Sequence, residues 1–146
     1  MYIIGGIYRH PNGNIKHFIE SLSNLLNKLD KKTTLIIAGD INIDLLKQQN
    51  PNVNLYTETL MENNILPYIY IPTRITDSTA TIIDHINVRI PSNQINSKIS
   101  SGNIINDISD HLPNFSDHLP NFFIMDCDIR KIKERPLTRL YNEKNI

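Results

Sequence analysis

The chain has 146 residues, the size of one domain and long enough to bury a core. Its 40% hydrophobic and 21% charged residues exclude a disordered polymer, and no apolar run approaches the ~20 residues that span a bilayer. The formal net charge is zero, so bulk electrostatics give no support to nucleic-acid binding, although a local basic patch would suffice; the lone Cys127 excludes an internal disulfide and a cysteine-rich zinc site.

Residues 2–8 are apolar and interrupted only by Gly5 and Gly6, which predicts a strand that ends in the turn-rich run Arg9-His10-Pro11-Asn12-Gly13. Ile15, Phe18, Ile19, Leu22, Leu25, Leu26 and Leu29 then recur in steps of three and four, the signature of an amphipathic helix with Asn14 as N-cap. Such an aliphatic stripe is core. Residues 33–38 form a short continuous apolar run, the pattern of a strand buried on both faces, and lead into Gly39-Asp40-Ile41-Asn42-Ile43-Asp44. A weaker helix is expected over 54–62 with Leu55, Leu60 and Met61 inward.

Residues 65–71 contain Pro67 and read as an edge strand or extended segment, followed by a Pro72-Thr73-Arg74 loop. Residues 80–88 predict a strand with Asp84 inside it, 95–108 one more strand, and 122–125 a last short one. The polar, charged stretch 130–146 reads as a tail or linker after a domain covering 1–129. Met1 runs directly into Tyr2-Ile3-Ile4, without the basic and long apolar stretches of a signal peptide. That favours an intracellular location, the nucleus included. The heptapeptide Ser109-Asp110-His111-Leu112-Pro113-Asn114-Phe115 is repeated at once as Ser116-Asp117-His118-Leu119-Pro120-Asn121-Phe122, which reads as a small tandem duplication and not a solenoid. Strands alternating with helices give an α/β class.

Three motifs carry chemistry-bearing side chains. Gly39-Asp40-Ile41-Asn42 delivers a carboxylate and an amide, two positions apart, to the C-terminal end of a buried strand, where both can face one site. The same residues also suit an ordinary strand-ending turn. Ser116-Asp117-His118 and its twin pair a hard oxygen ligand with a titratable base, or form a polar turn. In Ile82-Ile83-Asp84-His85-Ile86, a carboxylate within an apolar strand needs a partner. Asp84 either forms a dyad with a later histidine or lies on a wet strand face.

Taken in order, Tyr8 before a proline turn, Gly39-Asp40-Ile41-Asn42, Pro72-Thr73-Arg74, Ala80-Thr81-Ile82-Ile83-Asp84-His85-Ile86 and a final Ser-Asp-His resemble the endonuclease/exonuclease/phosphatase family. The endonuclease domain of non-LTR retrotransposons is the most similar branch, and the likeness covers roughly residues 1–125. The resemblance implies a two-layer α/β sandwich, here partial and lacking N-terminal strands. It also implies phosphodiester hydrolysis with Mg²⁺ or Mn²⁺, and DNA as substrate; no membrane and no protein partner is implied. Carried over, Tyr8 lies beside the scissile phosphate, and Asp40 orients or deprotonates the attacking water. Asn42 donates to phosphoryl oxygens, and Asp84 supports the catalytic histidine. His118 (or His111) faces the phosphate, and Asp117 (or Asp110) lies near the metal. Asp44 and Arg74 read as loop or substrate-side residues.

The chemistry agrees with the donor types. Carboxylate oxygens suit Mg²⁺ better than Zn²⁺, and positioned positive charge offsets the charge that builds on a phosphodiester under attack. The family carries an Asn and a metal-binding Glu upstream of the Tyr motif, and these have no counterpart before Tyr8. A truncated domain with little activity of its own is therefore expected; an inactive remnant or a DNA-binding module of the same fold is the alternative. Of the two Ser-Asp-His copies, chain physics favours the second. A paired strand cannot absorb seven extra residues containing Pro113, whereas lengthening a loop costs only ~0.6 kcal/mol per doubling. His118, and not His111, is expected within hydrogen-bond reach of Asp84.

Overall fold

A computed structural model describes residues 1–94, 97–104 and 117–126. The expected tail or linker, Cys127 and the first Ser-Asp-His copy with Asp110 and His111 lie outside the described residues. Strand β1 (Tyr2–Gly6) leads through helix α1 (Ile15–Asn27) to β2 (Thr34–Asp40), which lies parallel to β1. The Asn14 side chain accepts the His17 backbone N–H at 3.1 Å, so the cap stands where sequence places it. Ile19, Leu22 and Leu26 are buried, while Leu25 at the edge of the stripe is exposed.

Helix α2 (Pro51–Glu62) begins three residues earlier than its apolar pattern suggests. Asn50 caps it, accepting the Asn52 N–H at 2.9 Å, and Pro51 sits in the first turn, where its missing N–H has no intrahelical partner to lose. Its buried face is Val53, Tyr56, Thr59 and Leu60. Leu55 and Met61, expected inward, are exposed. The helix is rotated so that the Tyr56 hydroxyl reaches polar groups inside, and that bonding demand outweighs two aliphatic side chains.

Four strands form the central sheet in the order β1-β2-β6-β3, with β6 (Asp84–Arg89) antiparallel to both β2 and β3 (Leu66–Pro67). The expected strand over 80–88 is two strands. β5 (Ala80–Thr81) pairs instead with β4 (Arg74–Ile75). Between them the chain turns because side chains take its amides: Asp44 Oδ1 accepts Ile82 N–H at 3.0 Å and Thr73 Oγ1 accepts Ile83 N–H at 3.1 Å. Asp84 therefore opens a strand and is not buried within one. A separate antiparallel pair, β7 (Ile99–Asn103) with β8 (Asn121–Met125), completes the described elements.

Residue parity divides the core. Leu35 and Ile37 of β2 face the two helices and pack with Ile19, Leu22, Leu26, Tyr56 and Leu60. Ile86 and Val88 of β6 face the other way, onto Ile69, Ile82, Ile36, Ala38 and, from β8, Phe123. Phe123 meets Tyr68 edge-on, with ring centroids 5.2 Å apart. Helices pack on one face of the central sheet and the β7–β8 pair on the other, so two sheets with helices outside one of them give the α/β sandwich. Among the described residues no helix is long and apolar enough to cross a membrane.

The end of β2 has one steric requirement. Gly39 adopts φ +151°, and a Cβ there would stand 1.8 Å from the Ile7 carbonyl oxygen, which is backbone and cannot move aside. A Cβ on Gly5 meets nothing within 4 Å. Gly39→Ala is expected to lower stability by about 2–4 kcal/mol, and Gly5→Ala by less than about 0.5 kcal/mol. Urea midpoints of the two variants check this; a wild-type midpoint for Gly39→Ala contradicts the close approach.

Candidate active site

Strand register builds the site. Along the β2–β6 pair, Ile36 faces Val88, Ala38 faces Ile86 and Asp40 faces Asp84. All six point to the same side of the sheet, so an apolar row becomes acidic at its end. Like charges directly opposite one another are unfavourable in a sheet, and a positive or proton-donating group between them relieves the cost. His118 is that group: its Nδ1 lies 2.8 Å from Asp84 Oδ2. A carboxylate only accepts, so Nδ1 carries the proton and the ring is oriented by it. Oxygen atoms of Asp40 and Asp84 and a ring nitrogen of His118 all lie within 4.8 Å of one another, each side chain partly buried.

Thr73 brings His118 to Asp84, a role that sequence reading did not assign. It is fully buried, and its hydroxyl oxygen accepts the N–H of both Ile83 and Asp84, at 3.1 and 3.0 Å. Its backbone carbonyl accepts Leu119 N–H at 2.6 Å, directly after His118, and its N–H donates to Thr81 at 2.8 Å. One residue thus joins β5, the start of β6 and the segment before β8. Asn121 adds a bond from Nδ2 to the Asp84 carbonyl at 3.3 Å. The signal for Thr73 is its presence in Pro72-Thr73-Arg74, but its hydroxyl bonds depend on chain segments distant in sequence.

Asp117 stands apart from the Asp40–Asp84–His118 cluster. The Arg74 guanidinium donates to its Oδ2, and its Oδ1 lies 3.9 Å from His118 Nε2. The Arg74 hydrogen bond is the main cause holding the Asp117 carboxyl below the usual aspartate range. Asn42 follows Asp40 in a left-handed conformation, φ 54°, and its Nδ2 donates to the Arg9 carbonyl at 2.9 Å, which leaves a second amide hydrogen. Tyr8 is 65% exposed on the turn beside this loop. Asp44 is occupied structurally, by Ile82 N–H at 3.0 Å and Leu46 N–H at 3.2 Å.

Behind the carboxylates lies a buried polar row. His85, Asn87 and Arg89 point from β6 toward the helices, each about 1% exposed. The two groups around His85 Nε2 are the Ile43 and Ile82 carbonyls, at 3.0 and 3.2 Å. Both only accept, so Nε2 carries the proton and Nδ1 accepts from the Tyr56 hydroxyl at 3.0 Å. Tyr56 in turn accepts from Asn87 Nδ2 at 2.9 Å. This chain pins residues 41–45, the segment after Asp40, to β6.

The class of fold follows from these layers: α/β, with helices on one face of a mixed sheet and carboxylates at the strand ends. Among solved structures the chain is similar to the endonuclease domain of TRAS1, a telomere-specific non-LTR retrotransposon, with a TM-score of 0.58 and 20% identity over 80% of this chain and 52% of that one. An endonuclease/exonuclease/phosphatase family protein from Leptotrichia buccalis gives a TM-score of 0.48 and 18% identity over 75% of this chain and 42% of that one. No family model matches the sequence, and no curated protein does. The likeness to the retrotransposon domain is one of fold, and the chain spans about half the length of that domain. The chain has, in part, the α/β fold of that retrotransposon endonuclease domain.

Burial holds the His85 pKa below its ordinary 6.5, against the opposing pull of the Ile82 and Ile43 carbonyls and the Asp84 and Asp40 charges. The unfolded chain therefore takes up the proton first as pH falls. The neutral-His85 contribution is fully present above about pH 6.5 and is lost as pH drops from there through the lower folded-state pKa, with a slope of at most ~1.4 kcal/mol per pH unit. Thermal midpoints between about pH 7.5 and about pH 5 should fall less steeply in His85→Gln than in the wild type. Equal slopes would assign the acid sensitivity to other groups.

Proposed function

We propose that the Asp40–Asp84–His118 cluster, with Asn42 and Tyr8, is the site of divalent-metal-dependent phosphodiester hydrolysis in a DNA endonuclease domain derived from a non-LTR retrotransposon. The observation that carries the reading is the convergence of Asp40, Asp84 and His118 from three separate motifs onto one sheet end. Convergence of this kind is what a hydrolytic site needs and what a set of unrelated turns lacks.

The donor set fits a hard cation. Two carboxylates face each other across paired strands, and carboxylate oxygens suit Mg²⁺ or Mn²⁺. Asp117 would hold the ion by exchanging Arg74 for it, and the oxygens of Asp40 and Asp84 lie in the one other described cluster that could add a ligand. Such an ion, when bound, neutralises charge on the phosphoryl group. Asp40 positions a water in line with the phosphorus and accepts its proton as the new P–O bond forms and the bond to the leaving oxygen breaks. Asn42 offers its second amide hydrogen to a phosphoryl oxygen. His118, oriented by Asp84 through Nδ1–H, would face the phosphate with Nε2 and stabilise its developing negative charge when the ring also carries a proton there. Tyr8, exposed beside them, borders the scissile group.

A non-catalytic remnant, or a module that binds DNA without cutting it, is the second reading. It draws on the pairing of Asp117 with Arg74, which occupies the carboxylate beside His118.

Nicking of supercoiled plasmid with Mg²⁺ or Mn²⁺ tests both, in the 146-residue chain and in the longest in-frame polypeptide containing it. The longer one is expected to nick, and Asp40→Ala or His118→Ala to slow it by about 10²–10⁴-fold. Nicking unaffected by Asp40→Ala rules out the site. A longer polypeptide that shifts DNA in a gel but leaves it intact supports the second reading.

A further inference from the structure

We propose that Arg9 is a positioning residue, a buried guanidinium clamp that fixes the Tyr8 turn to the Asp40–Asn42 loop so that both present their side chains to the same reacting group. The inference depends on reading the site as a hydrolytic one. Arg9 is 5% exposed, at a position in a surface turn where an arginine would ordinarily reach into water. Its Nε donates to the Ile41 carbonyl at 2.7 Å and its Nη2 to the Asn42 carbonyl at 2.7 Å. On its own turn, Nη1 donates to the Gly13 carbonyl at 2.8 Å and Nη2 to Pro11 at 3.4 Å.

The backbone of residue 9 closes the same junction in both senses. Arg9 N–H donates to the Asp40 carbonyl at 3.0 Å, and Asn42 Nδ2 donates to the Arg9 carbonyl at 2.9 Å. Residue 9 is therefore bonded to Asp40, Ile41 and Asn42 in succession. That matters because Asn42 holds φ 54°, a region uncommon for residues with a Cβ, and the loop needs outside restraint to stay there.

Only arginine supplies this geometry. Its five N–H donors lie in one rigid plane and reach acceptors on two sides, whereas lysine radiates three donors from a single atom. These side-chain bonds of Arg9 all end on carbonyls, so its role is shape as much as charge. Burial lowers its pKa and the nearby Asp40 carboxylate raises it, so its positive charge also lies within the field of that carboxylate. A shift of about 1 Å in such a loop is enough to cost about 100-fold in rate.

The test uses Arg9→Lys and Arg9→Gln in the longer polypeptide of the nicking assay. Four quantities are read: thermal midpoint, amide hydrogen exchange of residues 9 and 40–44, and kcat and KM for plasmid nicking. Both variants are expected to exchange at least about tenfold faster in those segments and to lose at least about tenfold in kcat with KM within about twofold. A merely structural residue would lower the midpoint without a kcat-selective loss at temperatures where the variant is folded. Full rescue by Arg9→Lys would overturn the clamp in favour of charge alone, and wild-type exchange in residues 40–44 would overturn it outright. A loss confined to KM would make Arg9 a substrate contact. If the wild type does not nick, the hydrolytic reading fails and the positioning role with it, while exchange still decides whether the clamp exists.

Discussion

The antiparallel register between β2 and β6 is the constraint on which the rest of the structure depends. It sets Asp40 against Asp84 at the same step that sets Ile36 against Val88 and Ala38 against Ile86. A slip of one residue would turn Ile36 and Ala38 toward the helices and Leu35 and Ile37 away from them, breaking both cores. The site therefore inherits its precision from hydrophobic packing: the carboxylates are aligned because the aliphatic residues behind them have only one acceptable alignment.

That alignment has an electrostatic cost, and the surrounding groups offset it. His118 hydrogen-bonds Asp84, Thr73 supports the start of β6 through two backbone amides, and the Arg9 guanidinium lies in the field of Asp40. Behind the sheet, the His85–Tyr56–Asn87 chain pairs both His85 ring nitrogens, the Tyr56 hydroxyl and Asn87 Nδ2, and holds residues 41–45 against β6. Asn87 Oδ1 and Arg89 Nη1 find no partner among the described residues, a cost set against those bonds. The pairing also dictates helix orientation: Tyr56 faces inward to serve His85, and Leu55 and Met61 are left outside.

Arg74 and Asp117 illustrate how a motif and its geometry can diverge. The Ser-Asp-His motif suggests two neighbouring residues with a shared task. In the fold they face different partners, Asp117 the Arg74 guanidinium and His118 the Asp84 carboxylate. The two side chains still meet, with Asp117 Oδ1 3.9 Å from His118 Nε2, so the carboxylate flanks the imidazole from outside the cluster.

Periodicity alone determined the existence of α1, its Asn14 cap and most of its buried stripe, because a local 3.6-residue repeat needs no distant partner. The apolar run before Gly39 likewise announced β2, and the order of motifs marked Tyr8, Asp40, Asn42, Asp84 and His118 as the residues to watch. What sequence left open was decided by contacts across the chain. The 80–88 segment is two strands because Asp44 and Thr73, 38 and 10 residues away from their partners, take its amides. Arg9 carries no mark of its role, and Thr73 is marked only by lying in Pro72-Thr73-Arg74, since what both do consists of bonds to carbonyls and amides brought near only by folding. Asp84 was ambiguous between a wet strand face and a dyad for the same reason. A side chain's type is local, but its partner is a property of tertiary structure.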